Sequence, residues 1–135
     1  MREEMFVIKS SSSDRELRFL ARHGDEFQVE LSGYGLTLAL KVSAYTDSTG
    51  LLRLFEKIAS HATPWRGKES WRSLEGEFIL SASCSTSGQV YFFIEAWGSP
   101  GAAEEWRASA GITSELGQLP SIASAAHRFF CGADA

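Results

Sequence analysis

A chain of 135 residues, with 44% hydrophobic and 12% aromatic side chains and 3 prolines, has the length of a single globular domain, residues 1–135. It can bury about two-thirds of its extended surface, which excludes wholesale disorder, collagen-like repeats and a disulfide-built mini-protein. Its 13 Lys and Arg against 17 Asp and Glu give a net charge of −4, the opposite of the basic stripe of a phosphate-tracking protein, so nucleic acid is not an expected partner. No apolar run approaches the roughly 18–20 residues of a membrane helix, and no membrane partner is expected either.

The start Met1-Arg2-Glu3-Glu4, followed by the short apolar run Met5 to Ile8, reads as neither a signal nor a transit peptide and points to a cytoplasmic protein. Cys84 and Cys131 lie without any close Cys or His spacing, which suits two reduced structural thiols.

In chain order, the first half alternates with period two. Phe6 and Ile8, then Leu17, Phe19 and Ala21, then Phe27, Val29 and Leu31, then Leu36, Leu38, Leu40 and Val42 each line one face of a strand. Ser10–Asp14, His23-Gly24-Asp25 and Gly33-Tyr34-Gly35 supply the turns between them. The period then changes: Leu51, Phe55, Ile58 and Ala62 recur at helical spacing. This predicts a helix over about 49–61, N-capped by Asp47 or Ser48 and ended by Thr63-Pro64.

Residues 65–74 read as a loop or irregular edge. Alternation returns with Phe78, Leu80, Ala82 and Cys84, a tight hairpin at Thr86-Ser87-Gly88, and Val90, Phe92, Ile94 and Ala96. A further strand carries Trp106, Ala108, Ala110 and Ile112 after the turn at Gly98–Gly101. A closing helix spans 116–130, with Pro120 in its first turn and Gly132 as its stop. The order ββββ-α-βββ-α predicts an α+β fold with one antiparallel sheet of about seven strands and two helices, because hairpin-joined strands pair antiparallel.

The chemistry-bearing residues do not assemble into a motif. His23, His61 and His127 have no recognisable partner, and a His at a helix end complements the helix dipole. No HExxH, paired CxxC, calcium loop or Gly-x-Ser-x-Gly elbow occurs, so no catalytic residue, metal site or cofactor is expected. Ser81, Ser83 and Ser85 share the solvent face of a strand. Glu75 and Glu77 read as a wet strand start rather than as an acid/base pair.

The densest segment is Pro64-Trp65-Arg66-Gly67-Lys68-Glu69-Ser70-Trp71-Arg72. Two indoles and three cations in nine residues suit a stacking or hot-spot surface. The alternative is a latch in which the indoles fold back over the sheet edge and the cations snorkel. Trp65, Arg66, Trp71, Arg72 and Glu75 are therefore the candidate binding residues.

Tyr91, Phe93 and Trp97 make the second face of the Val90–Ala96 strand apolar as well. Either helices cover that strand on both sides, or the aromatics form an exposed patch for a partner or a homodimer.

Trp65-x-Gly67, Trp71, Leu74-Glu75-Gly76, Trp106-x-Ala108-x-Ala110-x-Ile112 and Leu116-x-x-Leu119 resemble a small bacterial family of unknown function, domain of unknown function 6228. They are also similar to WapI-type immunity proteins. The resemblance implies an immunity protein that binds and blocks a toxin domain; it carries over no catalytic residue. The chain departs from the family pattern at Thr113-Ser114-Glu115, before the last helix.

The expectation is a non-enzymatic module that binds a protein partner, with Glu69, Glu75, Glu77, Glu104 and Glu105 complementing a basic surface. The alternative is a small-molecule binder or enzyme with a pocket between sheet and helices.

Overall fold

Residues 5–131 are described by a computed structural model. Four strands come first: β1 (Met5–Lys9), β2 (Glu16–His23), β3 (Glu26–Gly33) and β4 (Leu36–Ser43). They pair antiparallel in chain order as one sheet. Helix α1 (Gly50–Ala59) leads to β5 (Lys68–Arg72), β6 (Phe78–Cys84), β7 (Gln89–Gly98) and β8 (Trp106–Glu115), which form a second antiparallel sheet, again in chain order. A 3-10 turn, Leu116–Gln118, precedes helix α2 (Leu119–Phe130).

The fold is α+β as expected, with eight strands in two sheets where seven in one were anticipated. The additional strand is β5, inside the segment read as a loop. Its outward positions Lys68, Ser70 and Arg72 are polar, Glu69 is charged, and Trp71 is its one apolar side chain, so it carries almost no hydrophobic alternation. The sheets separate because α1 intervenes between β4 and β5, and each meander completes its own hairpin pairing.

The alternation that predicted the other strands also decides their burial. Phe6, Ile8, Leu17, Phe19, Phe27, Val29, Leu31 and Val42 from the first sheet are buried with Phe78, Leu80, Ala82, Val90, Phe92, Ile94 and Ile112 from the second. Eight of the nine phenylalanines lie in this core, and Phe55 of α1 joins the two sheets. Its ring meets Phe6 at 5.3 Å and Phe19 at 6.3 Å on one side, and Phe92 at 6.3 Å on the other. Edge-to-face contacts of this kind add stabilisation beyond the area they bury. Phe19 also meets Phe78 directly across the sheets, and Phe130 of α2 caps Phe27.

Local departures have local causes. The period in β2 breaks at Ala21, which has φ 55° at a register shift between Leu20 and His23 and is exposed. Gly33, at φ 103°, lies against the backbone of Asp14 and Arg15, where any Cβ would collide.

Helix α1 begins after Thr49 without a side-chain cap and stops at Ala59, ahead of Thr63-Pro64. Neither expected cap, Asp47 nor Ser48, takes that place, and Asp47 is engaged by Trp71 and Arg53 instead. The expected stop at Gly132 lies outside the described residues. Cys84 and Cys131 are free thiols, and among the described residues no helix is long and apolar enough to cross a membrane.

A buried carboxylate holds the sheets together at one end. Glu77, 9% exposed, accepts the Ser43 amide of β4 at 3.1 Å and the Ser73 hydroxyl at 2.8 Å. Ser73 Oγ in turn accepts the Phe78 amide at 3.0 Å. The wet strand start expected at Glu77 is thus an internal bridge, which satisfies backbone groups where β4 approaches the β5–β6 turn.

Candidate binding groove between α1 and β5

Four residues of α1, Gly50, Arg53, Leu54 and Lys57, fall at helical spacing and line one wall of an open groove of about 560 Å³. Arg66 and the β5 residues Lys68, Glu69, Ser70 and Trp71 line the other, with Asp47 at one end. Leu54 and Trp71 are each 6% exposed and form its base.

Trp71 is the keystone of this junction. Its indole N–H donates to Asp47 Oδ2 at 3.0 Å, and Asp47 Oδ1 accepts Arg53 Nη2 at 2.6 Å. A Cβ on Gly50 would collide with both the indole nitrogen and Asp47, so the bare glycine lets the helix start sit this close to the ring. The latch alternative describes Trp71: the side chain belongs to the core.

At the far end of α1, Glu69 is held from two sides. Lys57 Nζ lies 3.0 Å from Oε1 and His61 Nε2 lies 2.8 Å from Oε2. Burial pushes this carboxyl up, but the hydrogen bonds from His61 and Lys57 outweigh it and hold Glu69 below the usual carboxylate range. The opposite face of His61 stacks on Trp65, with ring centroids 4.7 Å apart and planes 19° apart.

The groove carries four cations, Arg53, Lys57, Arg66 and Lys68, and two anions, Asp47 and Glu69. Arg53 and Lys57 pair with those anions; Arg66 and Lys68 are exposed and make no ion pair among the described residues. A chain of net charge −4 therefore presents a locally cationic groove.

The five candidate binding residues separate in space. Arg66 and Trp71 line the groove, and Trp65 stacks on the histidine that holds Glu69. Arg72 lies against Gly76, on the strand face opposite Trp71. Glu75 lines a different groove with Lys41, Trp97, Pro100 and Trp106. Of the acids expected to face a basic partner, Glu69 and Glu77 are consumed internally, and Glu105 accepts the Gly101 amide at 2.7 Å. That backbone bond holds the Glu105 carboxyl below its usual range. Glu75 and Glu104 remain exposed.

Sequence reasoning missed Asp47, Arg53, Lys57 and the His61–Glu69 contact. The signal for the cations was present, since Gly50, Arg53, Leu54 and Lys57 trace a single helical stripe. The His61–Glu69 contact joins a helix end to a strand that alternation did not reveal.

The second candidate surface is the outer face of β7. Among the described residues no helix covers it: α1 and α2 pack mainly on each other, on β5 and on β1, and Tyr91 and Glu95 are exposed, so the expectation of a strand covered on both sides gives way to an open face. Tyr91 is 43% exposed and stacks on Phe93 at 6.2 Å. Its ring lies over Gly111 of β8; Trp106 lies over Gly98 on the opposite face of the sheet, which it shares with Ala96 and Ala108. The Arg107 guanidinium sits 4.1 Å from the Trp97 ring. Ser81 is 4% exposed on this face and hydrogen-bonds Ser70 at 2.9 Å, correcting its assignment to solvent; its strand neighbour across the sheet is Phe93.

Among the described residues, no cluster of three or more His, Cys, Asp or Glu could hold a metal ion. The model of the Family of unknown function (DUF6228) matches residues 8–133, and the chain belongs to that family. No curated protein and no solved structure matches the chain.

Proposed function

We propose that this member of the DUF6228 family is a non-enzymatic module that binds a protein partner through the groove between α1 and β5. The observation that supports this reading is the pair of exposed cations Arg66 and Lys68, without an ion pair among the described residues, beside an already neutralised wall. Charges left available at the rim of a formed groove act on encounter and choice of partner. The most concrete version is an immunity protein whose partner is a toxin domain, and the groove's charge makes the contacting part of that partner acidic.

Calorimetric titration against the product of the adjacent gene tests this. Binding that falls about tenfold in Arg66→Glu/Lys68→Glu, with an unchanged melting temperature, is the expected result. Absence of binding, or equal binding by the variant, removes the reading.

A second reading, a small-molecule binder or enzyme, draws on one observation: the His61 imidazole meets the Glu69 carboxylate at 2.8 Å, and Glu69 lines the open groove. Such a pair can orient an imidazole for proton transfer. A metabolite thermal-shift screen discriminates, since ligands whose stabilisation disappears in His61→Ala would favour this class and ligands indifferent to it would count against it.

A further inference from the structure

The two indoles that make residues 64–72 look like a stacking platform are both occupied: Trp71 is in the core and Trp65 lies against His61. A single-stranded nucleic acid would need those faces free. What remains available is backbone. Among the described residues, strand β5 is the edge of its sheet and pairs only with β6. In an antiparallel edge strand, alternate residues direct their N–H and C=O groups away from the neighbour. Among the described residues, no backbone hydrogen bond from α1 or from 61–67 reaches that side of β5.

The other edges differ. Helix α2 packs along β1, and the Ser11 amide donates to Thr113 O of β8 at 2.9 Å. Strand β4 is joined at its end, where Leu74 N–H meets Ser43 O. The groove beside β4 holds Lys41 against Glu75 and Glu77 and has no cationic excess.

We infer that the groove receives an extended acidic segment of the protein partner, added as a further strand on the open edge of β5. This rests on the protein-binding reading and specifies how the contact is made. Main-chain hydrogen bonds to β5 supply the sequence-independent part of such an addition, and alternate side chains supply the selection. Side chains of the incoming strand on the α1 side meet Arg53 and Lys57 already paired with Asp47 and Glu69, above the apolar base of Leu54 and Trp71; those on the opposite side face Lys68, which shares its strand face with Ser70 and Arg72. Acidic residues on that opposite side therefore find cations, and apolar ones on the α1 side meet Leu54 and Trp71, whereas a second copy of β5 would set Lys68 and Arg72 against their own kind.

The probe is a short peptide of alternating Val and Glu. Its comparators are the Val-Lys peptide, the Val-Glu peptide N-methylated at alternate amides, and oligothymidylate. Anisotropy should show binding of the Val-Glu peptide alone, weakened about tenfold by Arg66→Glu/Lys68→Glu and by raised salt. Hydrogen exchange should show new protection of amides within 68–72. Absence of Val-Glu binding, equal binding of the N-methylated peptide, absence of protection in β5, or preference for oligothymidylate would overturn the inference. A partner protein that binds and responds to the charge reversal, yet leaves the β5 amides unprotected, would sink strand addition while leaving the protein-binding reading standing.

Discussion

The α1–β5 groove and the outer face of β7 both concentrate tryptophan and arginine, yet they use them in opposite ways. In the groove the indole of Trp71 is buried and its nitrogen organises the charged groups above it, leaving cations at the rim. On the outer face of β7 the rings lie on their own sheet, Tyr91 over Gly111 and stacked on Phe93, with Arg107 placed over Trp97. The same residue types thus build an outward-facing charge array in one place and a self-covering layer in the other. Aromatic density in a sequence does not by itself distinguish the two; the residue opposite each ring does.

The largest expected effect probes the groove's base. Trp71→Ala should destabilise the chain by about 3–5 kcal/mol, the range for removing a large buried aromatic, and should release Asp47 and Arg53. Trp71→Phe keeps most of the apolar contact and loses the bond to Asp47, so about 1 kcal/mol is expected. Denaturant unfolding separates the two contributions. Equal losses in both variants would show that the bond to Asp47, rather than packing, fixes the ring.

On β7 the corresponding test adds a group. Gly111→Ala should cost about 1–3 kcal/mol, because a Cβ at that position runs into the Tyr91 ring. In a Tyr91→Ala background the same change should cost close to nothing, and the double-mutant cycle measures the difference. Equal costs in both backgrounds would mean that the ring does not use the glycine as its seat. The same exposed face is where a second copy would sit if the chain dimerises through Tyr91, Phe93 and Trp97. Sedimentation at two concentrations with Tyr91→Glu alongside decides that: a species that dissociates on dilution and in the variant supports a dimer, and an invariant monomer removes it.

These two residues also show where sequence reading works and where it stops. Period-two alternation located seven strands because their inward residues are almost all apolar, as in Phe78, Leu80 and Ala82. It could not locate β5, whose inward pair is Glu69 and Trp71, held by Lys57 and His61 and by an indole hydrogen bond to Asp47, just ahead of α1. Glu77 escaped for a related reason: a carboxylate at a strand start looks solvated until β4 delivers an amide to it. Arg66 could be singled out from composition alone. Arg53 and Lys57 are legible as one helical stripe, but their partnership with Arg66 is not, since the groove exists only once α1 is laid beside β5.

At the far end of the groove, Glu69→Gln should cost about 1 kcal/mol at neutral pH, the usual scale for partly exposed charged hydrogen bonds. The folded carboxyl is lowered, so its contribution is fully present above the unfolded carboxylate range. It disappears as pH falls through the folded value, which lies below the unfolded one. Parent and variant should therefore differ at pH 7 and converge in acid, as read by denaturant midpoints across the range. A gap that persists in acid would mean that the loss comes from packing and not from the charge.

The smallest effect sharpens the contrast most directly. Arg107→Ala removes a cation lying over Trp97, and since the Arg107 side chain is 67% exposed, about 0.5–1 kcal/mol is expected. Arg66→Ala, at a cation with no ion pair and no ring beneath it among the described residues, should leave stability within about 0.5 kcal/mol of the parent. Paired thermal melts of the two variants read this directly. A loss at Arg107 with none at Arg66 means that the arginine on β7 covers its own sheet while the one in the groove is left for a partner; equal losses would dissolve that distinction and return Arg66 to the list of structural cations.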